Sequence, residues 1–218
     1  MKRAAAFGMA LIAAAAMAAP AAAGPFGYGL RFGANFADLR GDFAEIANPT
    51  MKVGTEGGLY VDYAISPDLA LQLDVDYVTK GAAFESVETD NVGNPIGTLD
   101  SKLQLRYVEV PLMVRATVHP WGAGAPAPYL IGGPSLSIKL DGTFENDGVT
   151  GLADQDVSGD MNEFLWGVTG GLGLRFPTET LGLAVEARYR TDFGDLWDVD
   201  ENYQSINHGL SVTFLISR

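Results

Sequence analysis

Apolar and polar residues alternate along most of this chain, and the alternation breaks at turn-forming residues. The clearest stretch is 58–80. There Leu59, Val61, Tyr63 and Ile65 alternate with Tyr60, Asp62 and Ala64. After Ser66-Pro67-Asp68 the pattern resumes, with Leu69, Leu71, Leu73, Val75 and Tyr77 set against Ala70, Gln72, Asp74 and Asp76. Successive side chains of a strand point to opposite faces, so each arm carries one apolar face and one small or polar face. Ser-Pro-Asp supplies turn chemistry, and the two arms read as a β-hairpin.

The same reading predicts eight strands in all. The first covers 27–38, with Tyr28, Leu30, Phe32, Ala34 and Phe36 opposite Arg31 and Asn35. The hairpin arms are 51–65 and the run that starts at Leu69 and ends at Lys80. The fourth to seventh strands cover 103–118, 127–140, 163–176 and 181–193. The eighth carries His208, Leu210, Val212, Phe214 and Ile216 on one face. Within the fourth, Leu103, Leu105 and Tyr107 keep one phase, and Val108, Val110, Leu112, Val114, Ala116 and Val118 keep the other. A phase flip inside one strand predicts a β-bulge, and Pro111, which cannot donate to a ladder, lies close by. Folding the fourth and fifth strands about Ala123 brings Pro134 roughly opposite Pro111, which predicts a weak place in the ladder. The connections alternate: 39–50, 81–102, 141–162 and 194–201 are long and polar, while 66–68, 119–126 and 177–180 are short.

Composition narrows the setting. Met1-Lys2-Arg3, an Ala-rich apolar run to Ala19 and an Ala-x-Ala end at Ala21–Ala23 read as a secretory signal peptide, residues 1–23, cleaved to leave one domain over 24–218. The run is too short and too Ala-rich for a spanning helix, and no later apolar run is long enough to be one. Cys is absent from the 218 residues, which rules out disulfides, a lipid-modified Cys and thiolate metal sites. Gly (27) and Pro (11) are too frequent for a helical domain. A net charge of −13 argues against nucleic acid as a partner.

Eight strands with long and short connections in alternation, and both termini at one end, fit an all-β fold: an antiparallel up-and-down transmembrane β-barrel. Closure leaves no backbone group unpaired in lipid. A soluble periplasmic lipocalin-like barrel binding an apolar ligand would share the alternation with its faces exchanged. The polar face mixes Gly with Arg31, Glu56, Asp62, Asp74, Asp76, Glu109, Arg115, Arg175, Glu186, Arg188 and Arg190, which suits a narrow interior filled by ion pairs. The other face is almost free of charge, and Tyr63, Tyr77, Phe164, Phe176, Tyr189 and Phe193 fall near strand ends as interfacial girdles do. Lipid outside and ion pairs inside is therefore the expected arrangement. Eight strands enclose just enough room for their own side chains, which disfavours an open pore.

Three stretches carry a family resemblance. Tyr28–Asn35, the segment with Ser66, Leu71-Gln72, Tyr77 and Lys80-Gly81, and Tyr107-Val108-Glu109-Val110-Pro111-Leu112 resemble the outer-membrane β-barrel domain of PorT-like proteins. The resemblance spans essentially the whole mature chain. It implies a small barrel in the outer membrane of a Gram-negative envelope, and some relatives serve secretion machinery. The chain ends Phe214-Leu215-Ile216-Ser217-Arg218, without the terminal aromatic typical of many such barrels.

Catalytic chemistry has little to stand on. His119 falls in a short turn beside Pro120 and Trp121, and His208 falls on the apolar face at the rim, neither with a Ser arranged as a nucleophile. Asp74 and Asp76 read either as a coupled carboxylate pair or as lumenal partners of the later arginines. No catalytic, cofactor-binding or metal residue is assigned, and no cofactor is expected. The expected role is that of a non-enzymatic structural or interaction module acting through acidic external loops. A narrow channel or a part in an envelope export complex is the alternative. The expected partners are outer-membrane lipid and lipopolysaccharide, the barrel assembly machinery during insertion, and envelope proteins. Asp198-Val199-Asp200-Glu201-Asn202 and the Asp154 to Asp160 stretch offer carboxylates to Ca²⁺ but lack EF-hand spacing, and read as solvated loops. Melting in detergent is expected to be unchanged by Ca²⁺; a Ca²⁺-dependent rise would instead mark these loops as cation sites.

Overall fold

The computed structural model of the chain describes residues 25–41, 49–89, 95–122, 124–147, 155–176, 178, 181–194, 196 and 205–218. Strands β1 (Phe26–Gly41), β2 (Lys52–Ser66), β3 (Leu69–Thr89), β4 (Pro95–Thr117) and β5 (Ala127–Asp147) are followed by a two-residue strand β6 (Gln155–Asp156). A short 3₁₀ turn (Ser158–Asp160) leads to β7 (Phe164–Phe176), β8 (Gly182–Asp192) and β9 (Ser205–Ser217). Every pairing is antiparallel, and β1 pairs with both β2 and β9 while β4 pairs with β5. Eight strands thus close into a barrel, and β6 hangs on the end of β5 through Thr143 and Phe144. The termini of the barrel and the short turns share one end, here the turn end; the longer connections leave the other, the loop end.

The alternation read from the sequence becomes an inside and an outside. Thirty large apolar side chains of the described residues are exposed, among them Phe32, Val61, Leu73, Leu112, Leu130, Trp166, Leu172, Leu210 and Phe214. Between them, on the opposite face, twelve charged side chains are buried, seven of them carboxylates. A water-soluble barrel would bury the first set and expose the second, so the lipocalin-like alternative is excluded. On β4 the outward apolar row runs from Val118 to Val108, and on β5 from Leu130 to Leu140; each then meets charge, at Arg106 and Asp141. Eleven residues of tilted strand match an apolar band about 25 Å tall. The aromatic pairs Phe26–Tyr63 (ring centroids 5.1 Å apart) and Trp166–Phe193 (5.1 Å) lie toward opposite ends of that band.

Three expectations need correcting or sharpening. The fourth strand has no extra residue at its change of phase near Tyr107. In β4, Leu103, Leu105, Tyr107, Glu109, Met113 and Arg115 are all buried, so one phase runs through. The register shift pairs Arg106 with Asp141 and Tyr107 with Lys139, which leaves Leu140 of β5 as the extra residue. The apparent flip in β4 marks a change in what lines the lumen, from charge to apolar side chains. At Pro111 the ladder does lapse. Pairing with β5 steps from Pro111–Ser135 to Val114–Gly132, and pairing with β3 from Leu73–Leu112 to Asp76–Glu109; Pro134 itself pairs with Val168. Lastly, much of the expected connections 81–102 and 141–162 is strand: β3 runs on to Thr89, β4 starts at Pro95 and β5 ends at Asp147. Beyond the apolar band neither face of a strand needs to be greasy, so periodicity fades while backbone pairing continues. Gly81 permits the bend where β3 leaves the band: its φ is 118°, and a Cβ there would overlap the Leu103 carbonyl oxygen. The signal peptide expected over 1–23 lies outside the described residues.

Leu73 sits at the middle of the outward row of β3 and is 45% exposed. Leu73→Arg is expected to lower barrel stability in lipid vesicles by about 2–4 kcal/mol, with Leu73→Phe near neutral. Urea unfolding followed by heat-modifiable gel mobility measures both; equal midpoints for the two variants would mean that this face does not meet lipid.

Candidate functional site

The lumen is a connected ionic network arranged in layers. Near the turn end Arg115 pairs with Asp62 and donates to Gln72 Oε1 at 2.9 Å, and Gln72 Nε2 donates to Asp74 Oδ1 at 2.9 Å. In the middle layer Arg31 of β1 lies 2.6 Å from Glu56 of β2, pairs with Asp76 of β3, and reaches Asp74 at 3.4 Å and Glu186 of β8 at 3.8 Å. Arg188 sits 2.6 Å from Asp74 and against Glu186, whose other oxygen accepts from the Tyr129 hydroxyl at 2.8 Å. Toward the loop end Arg190 lies 2.7 Å from Glu56 and 3.5 Å from Glu109. Lys80 completes that layer, 3.1 Å from Glu109 and 3.0 Å from Asp192, and also donates to Ser137. Bare burial of any one of these charges would cost several kcal/mol, and mutual ion pairing offsets part of that cost. Arg31, Lys80, Arg188 and Arg190 each serve more than one carboxylate, so the unit is the network and not the pair.

Apolar clusters shut both ends. At the loop end Leu39, Ala82, Leu103, Leu105, Tyr107, Met161, Leu165 and Leu196 pack together, none more than 3% exposed. Two of them come from outside the strands. Met161 is held in place because Lys139 Nζ donates to the Ser158 carbonyl at 2.6 Å and to that of Met161, while Val157 N donates to Gly142 O at 3.1 Å. Leu196 is fixed by backbone bonds to Ser205 (2.9 Å) and Asn162 (3.1 Å). At the turn end Met113, Tyr129 and Ile131 close the bore against Ala184. The Tyr129 ring lies over its cross-strand partner Gly173, and the Tyr60 ring over Gly29; a Cβ at either glycine would collide with the ring. Between the two clusters the interior holds side chains and no bore.

Comparison with known proteins agrees with this geometry. Residues 16–198 match the family described as outer membrane protein beta-barrel domain. The chain belongs to that family. This outer-membrane barrel is similar to solved structures at low identity. Neisserial surface protein A shares 15% identity, with 88% of this chain and 96% of that one covered and a TM-score of 0.46. Ail of Yersinia pestis, in complex with the heparin analogue sucrose octasulfate, shares 11% (88% and 99% covered, TM-score 0.44). The N-terminal beta-barrel domain of Pseudomonas aeruginosa OprF shares 14% (88% and 98% covered, TM-score 0.39). No curated protein sequence matches the chain. The family match is to outer-membrane barrels in general and does not single out the PorT-like branch.

The outer-membrane barrel places the predicted lumenal charges where the alternation put them. Arg31, Glu56, Asp62, Asp74, Asp76, Glu109, Arg115, Glu186, Arg188 and Arg190 are all buried, and Arg175 stands half-buried near the turn end. Asp74 and Asp76 are partners of Arg31 and Arg188 and do not face a substrate cleft. His119 is exposed and 3.2 Å from Asp68; His208 faces outward, its ring edge-on to Tyr189 and its Nδ1 3.2 Å from the Asp38 carbonyl. Among the described residues neither His is given a Ser partner. Among the described residues no group of three metal-ligating side chains converges. Asp198–Asn202 and Asp154 lie outside the described residues. Sequence reasoning missed Lys80 and Asp192, which sit at the ends of their predicted strands but share the phase of Asp76 and Arg190. It also missed Met161 and Leu196, apolar residues set beside acidic ones in the connections, which was the available signal.

The Asp62–Arg115 pair is the simplest to separate from the rest. Asp62→Leu or Arg115→Met alone is expected to cost about 3 kcal/mol, because the remaining charge stays buried. The double variant should cost less than the sum by about 0.5–3 kcal/mol. Urea unfolding in vesicles measures the cycle; strictly additive costs would mean that the two groups do not interact.

Proposed function

We propose that this outer-membrane barrel is a non-enzymatic structural or interaction module that acts through its acidic loops. The observation that carries the reading is the filled lumen. Seven carboxylates and five cations occupy the interior, with one apolar cluster packed toward the loop end and another toward the turn end. Among the described residues the lumen is taken up by side chains, which supports a role played at the surface. The outer wall meets lipid along the apolar band. The long connections 42–48, 90–94, 148–154 and 197–204 contain seven Asp or Glu residues and no Lys or Arg. Their charge suits contact with cations of the lipopolysaccharide leaflet or with an envelope partner. Insertion of such a barrel calls for assembly machinery of the outer membrane.

In planar bilayers the purified barrel is expected to give no steady conductance steps at either polarity. Steady openings would overturn the filled-lumen reading and favour the narrow-channel alternative. Neutralising Asp198, Asp200 and Glu201 to amides is expected to leave heat-modifiable mobility unchanged while altering surface cross-linking on whole cells; unaltered cross-linking would remove the loops from the interaction.

A further inference from the structure

Among the described residues the lumen buries more negative charge than positive, seven carboxylates against five cations. Arg175 and Lys139 share the inward phase but stand at the two mouths. There Arg175 donates to Ser217 Oγ at 3.4 Å, and Lys139 donates to the Ser158 and Met161 carbonyls. Sorting the ion pairs locates the excess. Asp62 has Arg115, and Asp192 has Lys80. Arg190 serves Glu56 and Glu109, and Lys80 also reaches Glu109. In the middle layer Arg31 and Arg188 are left to serve Asp74, Asp76 and Glu186, while Arg31 is drawn on by Glu56 as well.

Asp76 has the least of what that layer offers. It is buried, and only its Oδ2 is paired, with Arg31. Its Oδ1 turns to the backbone of Gly58, its cross-strand partner, and among the described residues meets no donor. Asp74, by contrast, has Gln72 on one oxygen and Arg188 on the other, and Glu186 has Tyr129 and Arg188. Three carboxylates crowd Asp76. Glu56 of β2 shares its Arg31, Asp74 lies two residues away on the same face of β3, and Glu109 stands directly opposite on β4. Like charges directly opposite on neighbouring strands are destabilising. Of the other cations, Arg188 is held by Asp74 and Glu186, Arg190 by Glu56 and Glu109, and Lys80 by Glu109 and Asp192. A full negative charge on Asp76 would lack a counter-ion of its own and half its hydrogen bonds, and a buried carboxylate escapes that cost by taking a proton. We propose that Asp76 is a proton-binding site: the barrel takes up one proton there as it closes and holds it at neutral pH. The neutral acid still accepts from Arg31 and adds no fourth negative charge to the carboxylates around it. In the unfolded chain an Asp is ionised above about pH 4. The folded barrel then binds one proton more than the unfolded chain, so this site stabilises less as pH rises.

The test uses the full barrel refolded into phosphatidylcholine vesicles in sodium chloride, with urea unfolding followed by heat-modifiable mobility. Relative to Asp76→Asn, the unfolding equilibrium constant of the wild type is expected to rise about tenfold per pH unit between about pH 5 and about pH 7, the linkage of one proton. Carboxylates common to both proteins cancel in that comparison. At neutral pH Asp76→Asn is expected to be at least as stable as the wild type, because the amide copies the neutral acid. Asp74→Asn, which strips Arg188 of a partner, is expected to lower the midpoint. The infrared C=O band of a protonated carboxyl is expected in the wild type at neutral pH, reduced in Asp76→Asn and kept in Asp74→Asn. Equal pH slopes in the wild type and Asp76→Asn, a band that is absent or unchanged in Asp76→Asn, or failure of Asp76→Asn to fold would each overturn the site. So would equal midpoints for the two variants. A loss of stability when choline replaces sodium would overturn it too, because a bound alkali cation would then balance the charge.

Discussion

Arg31 is where the strands are tied together from within. Its guanidinium meets carboxylates from β2, β3 and β8, so a residue on the first strand bonds to neighbours on both sides of the seam and across the lumen. The constraint behind it is geometric. A closed ring of eight strands leaves an interior the width of a few side chains, and the lipid outside has already claimed the apolar face. What remains to fill the centre is polar, and charge can be buried there only in balanced groups. Glycines such as Gly29, Gly58, Gly171 and Gly173 make room for the long side chains opposite them. The network, the glycines and the apolar outer wall are thus three consequences of one enclosure.

Most of this was legible from alternation alone. The hairpin on either side of Pro67-Asp68 has the register that the pattern of Leu59 to Tyr77 implies, with Val61 opposite Leu73 and Asp62 opposite Gln72. The assignment of Asp62, Asp74 and Asp76 to the interior follows from the same period of two, because every second residue must turn away from lipid. Ladder trouble at Pro111 and Pro134 was legible too, since a missing N–H is a property of the residue and not of its surroundings.

What was not legible has a common cause. Hydrophobic periodicity records which solvent each face meets, and it falls silent where both faces meet the same one. The outer parts of β3, β4 and β5 pair as strands although Ser101, Lys102 and Gln104 carry no lipid-facing pattern. In β4 the apolar Leu103, Leu105 and Tyr107 face the lumen because the bore ends there, under Met161 and Leu196. A pattern on one strand cannot reveal that its greasy partners arrive from two distant loops. Lys80 was overlooked for a related reason: it neutralises Glu109 of β4 and Asp192 of β8, and such pairing across a lumen is set by closure.

The way the charges are shared out bears on the order of assembly. The β1–β2 hairpin contributes one buried cation and two buried carboxylates, the β3–β4 hairpin two cations and three carboxylates, and β8 two of each. A hairpin entering the hydrocarbon by itself would carry unmatched charge, at a cost of several kcal/mol for each stranded ion. The remaining matches, which join Arg188, Arg190, Glu186 and Asp192 of β8 to Asp74, Glu56, Arg31 and Lys80, form only when the first and last strands come together. Stepwise insertion is therefore uphill until the ring closes, and the barrel is expected to cross the membrane as a nearly complete cylinder, with its ionic interior forming in the same event as the β1–β9 seam.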